Sequence, residues 1–332
     1  MYIVSSYTFA IVLLFISMLC WGSWANTQKL AAKSWAFQLF YWDYALGLVI
    51  LSGIFGLTLG SSGEVGRSFI EDLSQASSSF LGSAFIGGVI FNIANLLVVA
   101  AIDLAGMAIA FPIAIGLALV LGVIINYLGE STGDPVLLFG GVALVTIAII
   151  INAIAYRRRS GSEVTSSKKG IVISVIGGII MSFFYRFVAD SLVSNFESPE
   201  AERLTPYTAV FVFSLGVLIS NFVWNTWFMY KPITGGSVSY TDYFKQGNLR
   251  LHLVGILGGG IWCMGMFLSI LSSDIAGPAI SYGLSQGATL VAALWGVFIW
   301  KEFKDAPEGT NKLIFAMFAC FLAGLILIIL AR

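Results

Sequence analysis

Asp43 is a carboxylate set inside an apolar run. At the centre of a bilayer a charged side chain costs about 2.5–3.5 kcal/mol on insertion scales, so it needs a partner or a purpose. Two chemistries fit. A membrane-embedded carboxylate can bind and release a proton, and so tie the movement of a solute to a proton gradient. Alternatively, Asp43 can form a lasting ion pair with Lys29 and hold a gate shut. Arg186 and Asp190 make the second charged constellation. Their i, i+4 spacing puts them on one helix face, within pairing distance. Read functionally, the pair is an outer gate, or a site where the Arg186 guanidinium offers fixed donors to carbonyl-rich or carboxylate solutes. The plainer reading is a salt bridge that neutralises both groups.

Neutral polar residues add a third set. Asn92 and Asn95 share a helix face, and Asn26 closes an apolar run near the N-terminus. Tyr282, Ser285, Gln286 and Thr289 fall at i, i+3, i+4 and i+7. Lipid cannot satisfy amide donors and acceptors, so these faces should turn inward, to bind a solute or to bond neighbouring helices. Trp21, Trp24, Tyr185 and Trp262 could offer flat surfaces to a planar ring or a sugar face, or could pack as core. Trp224, Trp227, Trp295 and Trp300 read as interfacial belt residues.

The elements that carry these groups are set by composition. The 332 residues are 58% hydrophobic and 10% charged, against about 25% charged in soluble domains. The apolar residues come in continuous runs long enough to cross a bilayer, without the period-two alternation of a β-barrel. The expected class is an all-α membrane protein with ten transmembrane helices near 8–29, 35–60, 80–101, 104–128, 135–156, 170–192, 207–230, 251–272, 275–300 and 312–331. The first run has no cleavage site after it and reads as a retained helix. Pro112 and Gly283 mark weak helix positions, and Asp103 and Asp274 read as caps of the following helices.

The segment 157–169 holds Arg157, Arg158, Arg159, Lys168 and Lys169. It reads as a basic cytoplasmic linker between two five-helix halves, 1–156 and 170–332. With it inside, Lys29, Lys33, Lys231, Lys245, Arg250, Lys301, Lys304 and Lys312 fall on the same basic side. Only Arg67, Arg203 and Arg332 fall outside, so both termini are expected outside the cytoplasm. Five helices per half make the halves opposite in orientation. An offset of 171 supports the repeat: Gly87-Gly88 falls on Gly258-Gly259, Asp103 on Asp274, Ala105-Gly106 on Ala276-Gly277, and Gly116 on Gly287. Inverted repeats allow alternating access about a midplane site.

Other classes are poorly served. Zero net charge gives no reason to expect nucleic acid. Cys20, Cys263 and Cys320 have no metal-ligand spacing, and no cofactor is indicated. His252, the one histidine, lies at a helix end with no evident nucleophile, so an enzyme is disfavoured. No charged ring or filter points to a channel.

Ten helices in an inverted five-plus-five order resemble the drug/metabolite transporter superfamily. The motifs Cys20-Trp21-Gly22-Ser23-Trp24-Ala25-Asn26-Thr27-Gln28-Lys29 and Tyr41-Trp42-Asp43-Tyr44 resemble its ureide permease and glucose/ribose porter branch. That resemblance implies a cavity lined by helices 1, 3, 4, 6, 8 and 9. It also implies a neutral polar cargo of the ureide, nucleobase or sugar class. The short central segment departs from the long loop of plant members. Together these readings favour proton-coupled uptake of a small solute by a monomer or weak dimer in the cell membrane, with a metabolite or drug exporter as the alternative.

Overall fold

The computed structural model describes residues 1–31, 35–160, 167–233 and 235–332. Lys33 and the middle of the basic segment, 161–166, therefore lie outside the described residues. Among the described residues ten helices are long and apolar enough to cross a membrane. The first five are α1 Tyr7–Ala31, α2 Phe37–Leu57, α3 Ser78–Ala105, α4 Met107–Gly129 and α5 Pro135–Arg159. The second five are α6 Lys168–Ser191, α7 Pro206–Tyr230, α8 Leu249–Ala276, α9 Pro278–Ile299 and α10 Thr310–Leu330. Lipid offers no partner to a backbone N–H or C=O, so an apolar run resolves into helix, which satisfies them internally. Ser6 and Ser167 start α1 and α6 by accepting backbone N–H bonds, and Pro206 and Pro278 occupy first-turn positions that need no donor.

Asp103 and Asp274 do not cap α4 and α9. They lie inside the last turns of α3 and α8. The caps are Gly106 (φ 78°, ψ 154°) and Gly277 (φ 79°, ψ 150°). A positive φ suits glycine, and the chain must turn sharply between consecutive spans there. The two matched turns fall on each other at an offset of 171.

Three helices are interrupted. α1 runs as Tyr7–Ser23 and Ala25–Ala31, breaking at Trp24. α6 runs as Lys168–Met181 and Phe184–Ser191. α9 breaks after Ser285 and ends in a π-helical turn, Trp295–Ile299. Pro112 lies within α4, which continues past it. The break in α9 falls at Gln286 and Gly287 rather than at Gly283, with i+3 bonds such as Thr289 N–H to the Gln286 carbonyl, 3.2 Å. Such tightened turns inside membrane helices often mark functional positions.

The chain forms two compact units. Unit one comprises residues 1–92 and 184–275: α1, α2, α7, all of α8 but its last residue, and parts of α3 and α6. Its helix contacts repeat with the sequence. A Cβ on Gly88 of α3 would strike the carbonyl oxygen of Phe213 and crowd Gly216 of α7. A Cβ on Gly259 of α8 would strike the carbonyl oxygen of Tyr44 and crowd Gly47 of α2. Conversely, Gly216 rests on the Phe85 carbonyl, and Gly47 on that of Ile256. Gly88 and Phe85 map onto Gly259 and Ile256 at an offset of 171, and Tyr44 and Gly47 map onto Phe213 and Gly216 at an offset of 169. The same backbone-to-backbone contact is thus built twice, as small residues permit.

Unit two comprises residues 93–183 and 276–332: α4, α5, α9 and α10, with the remainders of α3 and α6. In it α5 packs on α10 through Gly141 and Gly324, each set against the other's carbonyl oxygen. α4 meets α6 where Gly178 abuts Ala114, and meets α9 where Gly122 abuts the Tyr282 ring. Unit one thus holds α2 with α7 and most of α3 with α8. Unit two holds α4 with α9 and α5 with α10. This grouping fits a five-helix inverted repeat, and it cuts across the two sequence halves rather than following them.

Candidate functional site

Within unit one an aromatic cluster forms about α8. Trp21 and Trp262 stack with ring centroids 5.4 Å apart, and the Trp21 indole N–H donates to the Trp262 carbonyl, 3.1 Å. The Trp262 ring also lies nearly parallel to Phe213 at 5.7 Å and 4.2 Å from Phe91. Trp262 thus belongs to the packed interior. Trp24 contacts Tyr44 at 5.0 Å, and Tyr41 stacks on Tyr44 at 5.1 Å. Tyr185 is fully buried, with its hydroxyl bonded to the backbone and side chain of Ser269. The Asn26 amide donates back to the Ser23 carbonyl, 3.0 Å, across the break in α1.

Polar groups sit among these rings. Asn92 donates to the Ser220 hydroxyl, 2.8 Å, and to the Val217 carbonyl, 3.2 Å. Its own amide oxygen meets no partner among the described residues. The next residue after Ser220, Asn221, is fully buried, with neither amide nitrogen nor amide oxygen partnered among the described residues. The buried Tyr44 hydroxyl is in the same condition. One turn on, Asn225 donates to the Gln38 carbonyl, 2.8 Å, leaving its oxygen unmatched. Leaving a buried polar group unpaired costs about 1–3 kcal/mol. Such a cost is tolerated where a bound solute or water completes the bonding in another state. Asn221 escaped the sequence reading, though its i, i+4 spacing with Asn225 in an apolar run is a visible signal.

Asp43 is 1% exposed. Its carboxylate is held by His252 and Tyr243, not by the Lys29 that the sequence suggested. His252 Nδ1 lies 3.0 and 2.9 Å from the two carboxylate oxygens, and the Tyr243 hydroxyl donates to Oδ1 at 2.5 Å. Gly255 of α8 packs directly on the Asp43 Cβ. Burial, and then the bond to Asp43, push the Tyr243 phenol above its ordinary range, so it remains a donor. Lys29 itself is exposed on Ala25–Ala31. On the other side of unit one Arg186 and Asp190 form the expected i, i+4 ion pair. The Asp190 side chain is 45% exposed, so this pair is a half-wet bridge.

Unit two holds the remaining candidates. Tyr282 is fully buried and donates to the Ala118 carbonyl at 2.9 Å, fixing α9 to α4. Ser285 is buried, Gln286 is half-buried at the α9 break, and Thr289 bonds back to the Gln286 carbonyl at 3.2 Å. Asn95 is buried in α3. The structure thus groups Trp21, Trp24, Asn26, Lys29, Asp43, Asn92, Tyr185, Arg186, Asp190 and Trp262 in unit one, and Asn95, Tyr282, Ser285 and Gln286 in unit two.

Known proteins are similar to this chain in sequence and in fold. The family model described as ureide permease matches residues 40–168 and 157–331. Ureide permease 1 of Arabidopsis thaliana is 24% identical over 98% of this chain and 97% of its own. A putative sugar uptake protein of Listeria innocua is 23% identical, over 76% of this chain and 80% of its own. One protein crystal structure aligns with a TM-score of 0.60 at 17% identity, covering 98% of this chain and 99% of that one, which shows a common fold.

Proposed function

The chain belongs to the ureide permease family, and from that premise we propose that this multi-pass membrane protein is a secondary transporter taking up a small neutral polar metabolite of the ureide, nucleobase or sugar class. The carrying observation is Asn221: a fully buried amide with neither polar atom partnered among the described residues. An amide side chain offers a donor and an acceptor side by side. That is the complement of a ureide or lactam edge, and it also suits a sugar hydroxyl, which both gives and accepts a bond. The free oxygen of Asn92 and the Tyr44 hydroxyl add an acceptor and a donor on neighbouring helices of the same unit. A site that hydrogen-bonds its solute also rejects apolar analogues, since its own groups would stay unpaired.

The energy source in this reading is the proton gradient, with Asp43 as the carboxylate that exchanges the proton. The doubled glycine contact of unit one supports alternating access, because equivalent packing on opposite-facing helices allows two mirror-related states. Arg186 and Asp190 serve as a gate on the side opposite the basic residues. The basic side is cytoplasmic, both termini are extracytoplasmic, and the membrane is that of the cell. Trp24, on the break in α1, and Tyr185, next to the break in α6, are the remaining solute contacts proposed in unit one. Gln286, at the break in α9, is the one proposed in unit two.

The test is uptake by the purified protein in liposomes of labelled ureide, nucleobase and sugar. Asn221→Leu should abolish uptake of the accepted class while the protein stays folded. Wild-type uptake of all classes at the background of empty liposomes would reject the reading.

A further inference from the structure

The Asp43 carboxylate meets a phenol 200 residues later in the chain and an imidazole 209 residues later. Tyr243 sits on a short helix, Tyr240–Gln246, in the α7–α8 connection. Seven residues are too few to be helical alone in water. Ser239 and Asp242 start the turn with a capping box, and the rest of its support is docking. The Tyr240 hydroxyl bonds Thr226 at 2.5 Å, with its ring 5.6 Å from Trp42. Tyr243 packs 5.7 Å from Trp35 and 4.8 Å from His252, and its hydroxyl reaches Asp43.

The repeat supplies an internal control. The offsets of 169 and 171 that superpose the glycine contacts carry Asp43 onto Val212 and His252 onto Leu81. The same glycine contact is therefore built elsewhere in unit one, where the mapped positions hold two apolar residues. Helix packing does not require the ionisable pair, which exists at one end only.

We propose that Asp43, His252 and Tyr243 form a proton-operated latch, in which the charged carboxylate pins the helix Tyr240–Gln246 to the basic end of unit one and proton transfer from His252 releases it. The latch deepens the coupling reading of Asp43 and rests on it. His252 has a side chain 27% exposed, so water reaches it while Asp43 stays covered. A proton taken from water at Nε2 makes the imidazolium. Its Nδ1–H proton passes to an Asp43 oxygen: the N–H bond breaks, the O–H bond forms, and the imidazole is left neutral with Nε2–H. The reverse step returns the proton to water. Once neutral, the carboxyl loses the charge-assisted bonds from Tyr243 and His252, which are roughly twice as strong as neutral ones.

Other ionisable groups at this end do not hold the carboxylate. Lys29 in α1, Lys231 after α7, Lys245 on the short helix and Arg250 at the start of α8 are exposed, and Asp242 is engaged by Ser239 and Gln246. On α2 Tyr41 lies nearer the helix start than Asp43 and Tyr44 follows it directly, and Cys263 lies further along α8 than His252.

The test is amide hydrogen exchange of residues 240–246 in the full chain in lipid, from pH 5 to 8, corrected for the intrinsic rate. Asp43→Asn mimics the protonated carboxyl, and Tyr243→Phe removes only the hydroxyl. Each should speed exchange in this segment about tenfold at pH 8, the lower end of what one lost hydrogen bond to a charged group does. The wild type should open as pH falls, and His252→Gln should flatten that dependence. Exchange at the wild-type rate in both Asp43→Asn and Tyr243→Phe overturns the latch. The coupling reading fails separately: accumulation indifferent to a proton gradient, with the latch opening as described, removes coupling and leaves the latch standing. Proton-driven accumulation with unchanged exchange in both variants does the opposite.

Discussion

Gly88 of α3 and Gly259 of α8, 171 positions apart in the chain, press the same backbone surface against partners that are 169 positions apart, Phe213-Gly216 and Tyr44-Gly47. A side chain at either glycine has nowhere to go, because what it meets is backbone rather than a flexible tip. The two contacts should therefore be equally intolerant.

Gly88→Val and Gly259→Val should each destabilise the protein by about 1–3 kcal/mol, the usual cost of overpacking, or prevent folding. Gly82→Ala, where a Cβ would meet nothing within 4 Å, should be neutral or stabilising. Thermal unfolding in detergent reads all three. Equal tolerance at Gly88 and Gly82 would show that the close approach is not made.

Asn221 links stability and function with opposite signs. Replacing an unpaired buried amide by leucine removes a penalty of about 1–3 kcal/mol. Asn221→Leu should melt higher than the wild type while losing uptake. Asn225→Leu, which breaks the bond to the Gln38 carbonyl, should gain less. A lower melting temperature in Asn221→Leu would mean that its amide is already paired.

The connections opposite the basic side are pinned by Asp72, fully buried, which pairs with Arg67 at 3.2 Å and accepts from the Thr205 N–H at 2.8 Å and hydroxyl at 3.0 Å. Breaking a buried pair by removing one partner costs about 3–5 kcal/mol. Asp72→Ala should lower the melting temperature accordingly, and the double variant with Arg67→Met should recover part of the loss. Additive losses would argue against a coupled pair.

Glu200 supplies a pH dependence outside the membrane. Slight burial works against its charge, but bonds from Ser194 and the nearby Arg203 outweigh it and hold its carboxyl below the usual 4.5. The Ser194 N–H donates to both oxygens, at 3.2 and 2.9 Å. A folded-state value below the unfolded one means that the stabilisation is present above about pH 4.5 and is lost as pH falls through the folded value. Protection of the Ser194 amide, corrected for the intrinsic exchange rate, should fall at acid pH, and Glu200→Gln should remove that pH dependence. An identical profile in the variant would contradict the assignment.

Much of the architecture is legible in the amino-acid order. Apolar runs become spans because lipid leaves the backbone no alternative: the run expected at 312–331 is Thr310–Leu330, and that at 207–230 is Pro206–Tyr230. The Arg186–Asp190 pair was also legible, since helix geometry alone brings i and i+4 together. Asp43 was legible as unusual, but its partners were not. His252 is 209 residues away, and no local period connects them. Lys29 looked like the partner because it is near in sequence, whereas tertiary packing brings in a helix from the other half. The α2–α7 correspondence was hidden too. It is carried by a glycine and an aromatic carbonyl at a slightly different offset, and only the contact reveals it. The caps Gly106 and Gly277 were misjudged because aspartate is a common cap, while a direct turn between consecutive spans demands positive φ.

The most direct measurement of the central claim is accumulation of a labelled neutral ureide, nucleobase or sugar by liposomes holding the purified protein, with and without an inward proton gradient. The wild type should concentrate the accepted solute only with the gradient. Asp43→Asn should lose that concentration yet still exchange internal for external solute. Accumulation by Asp43→Asn equal to that of the wild type, under the same gradient, would contradict the account.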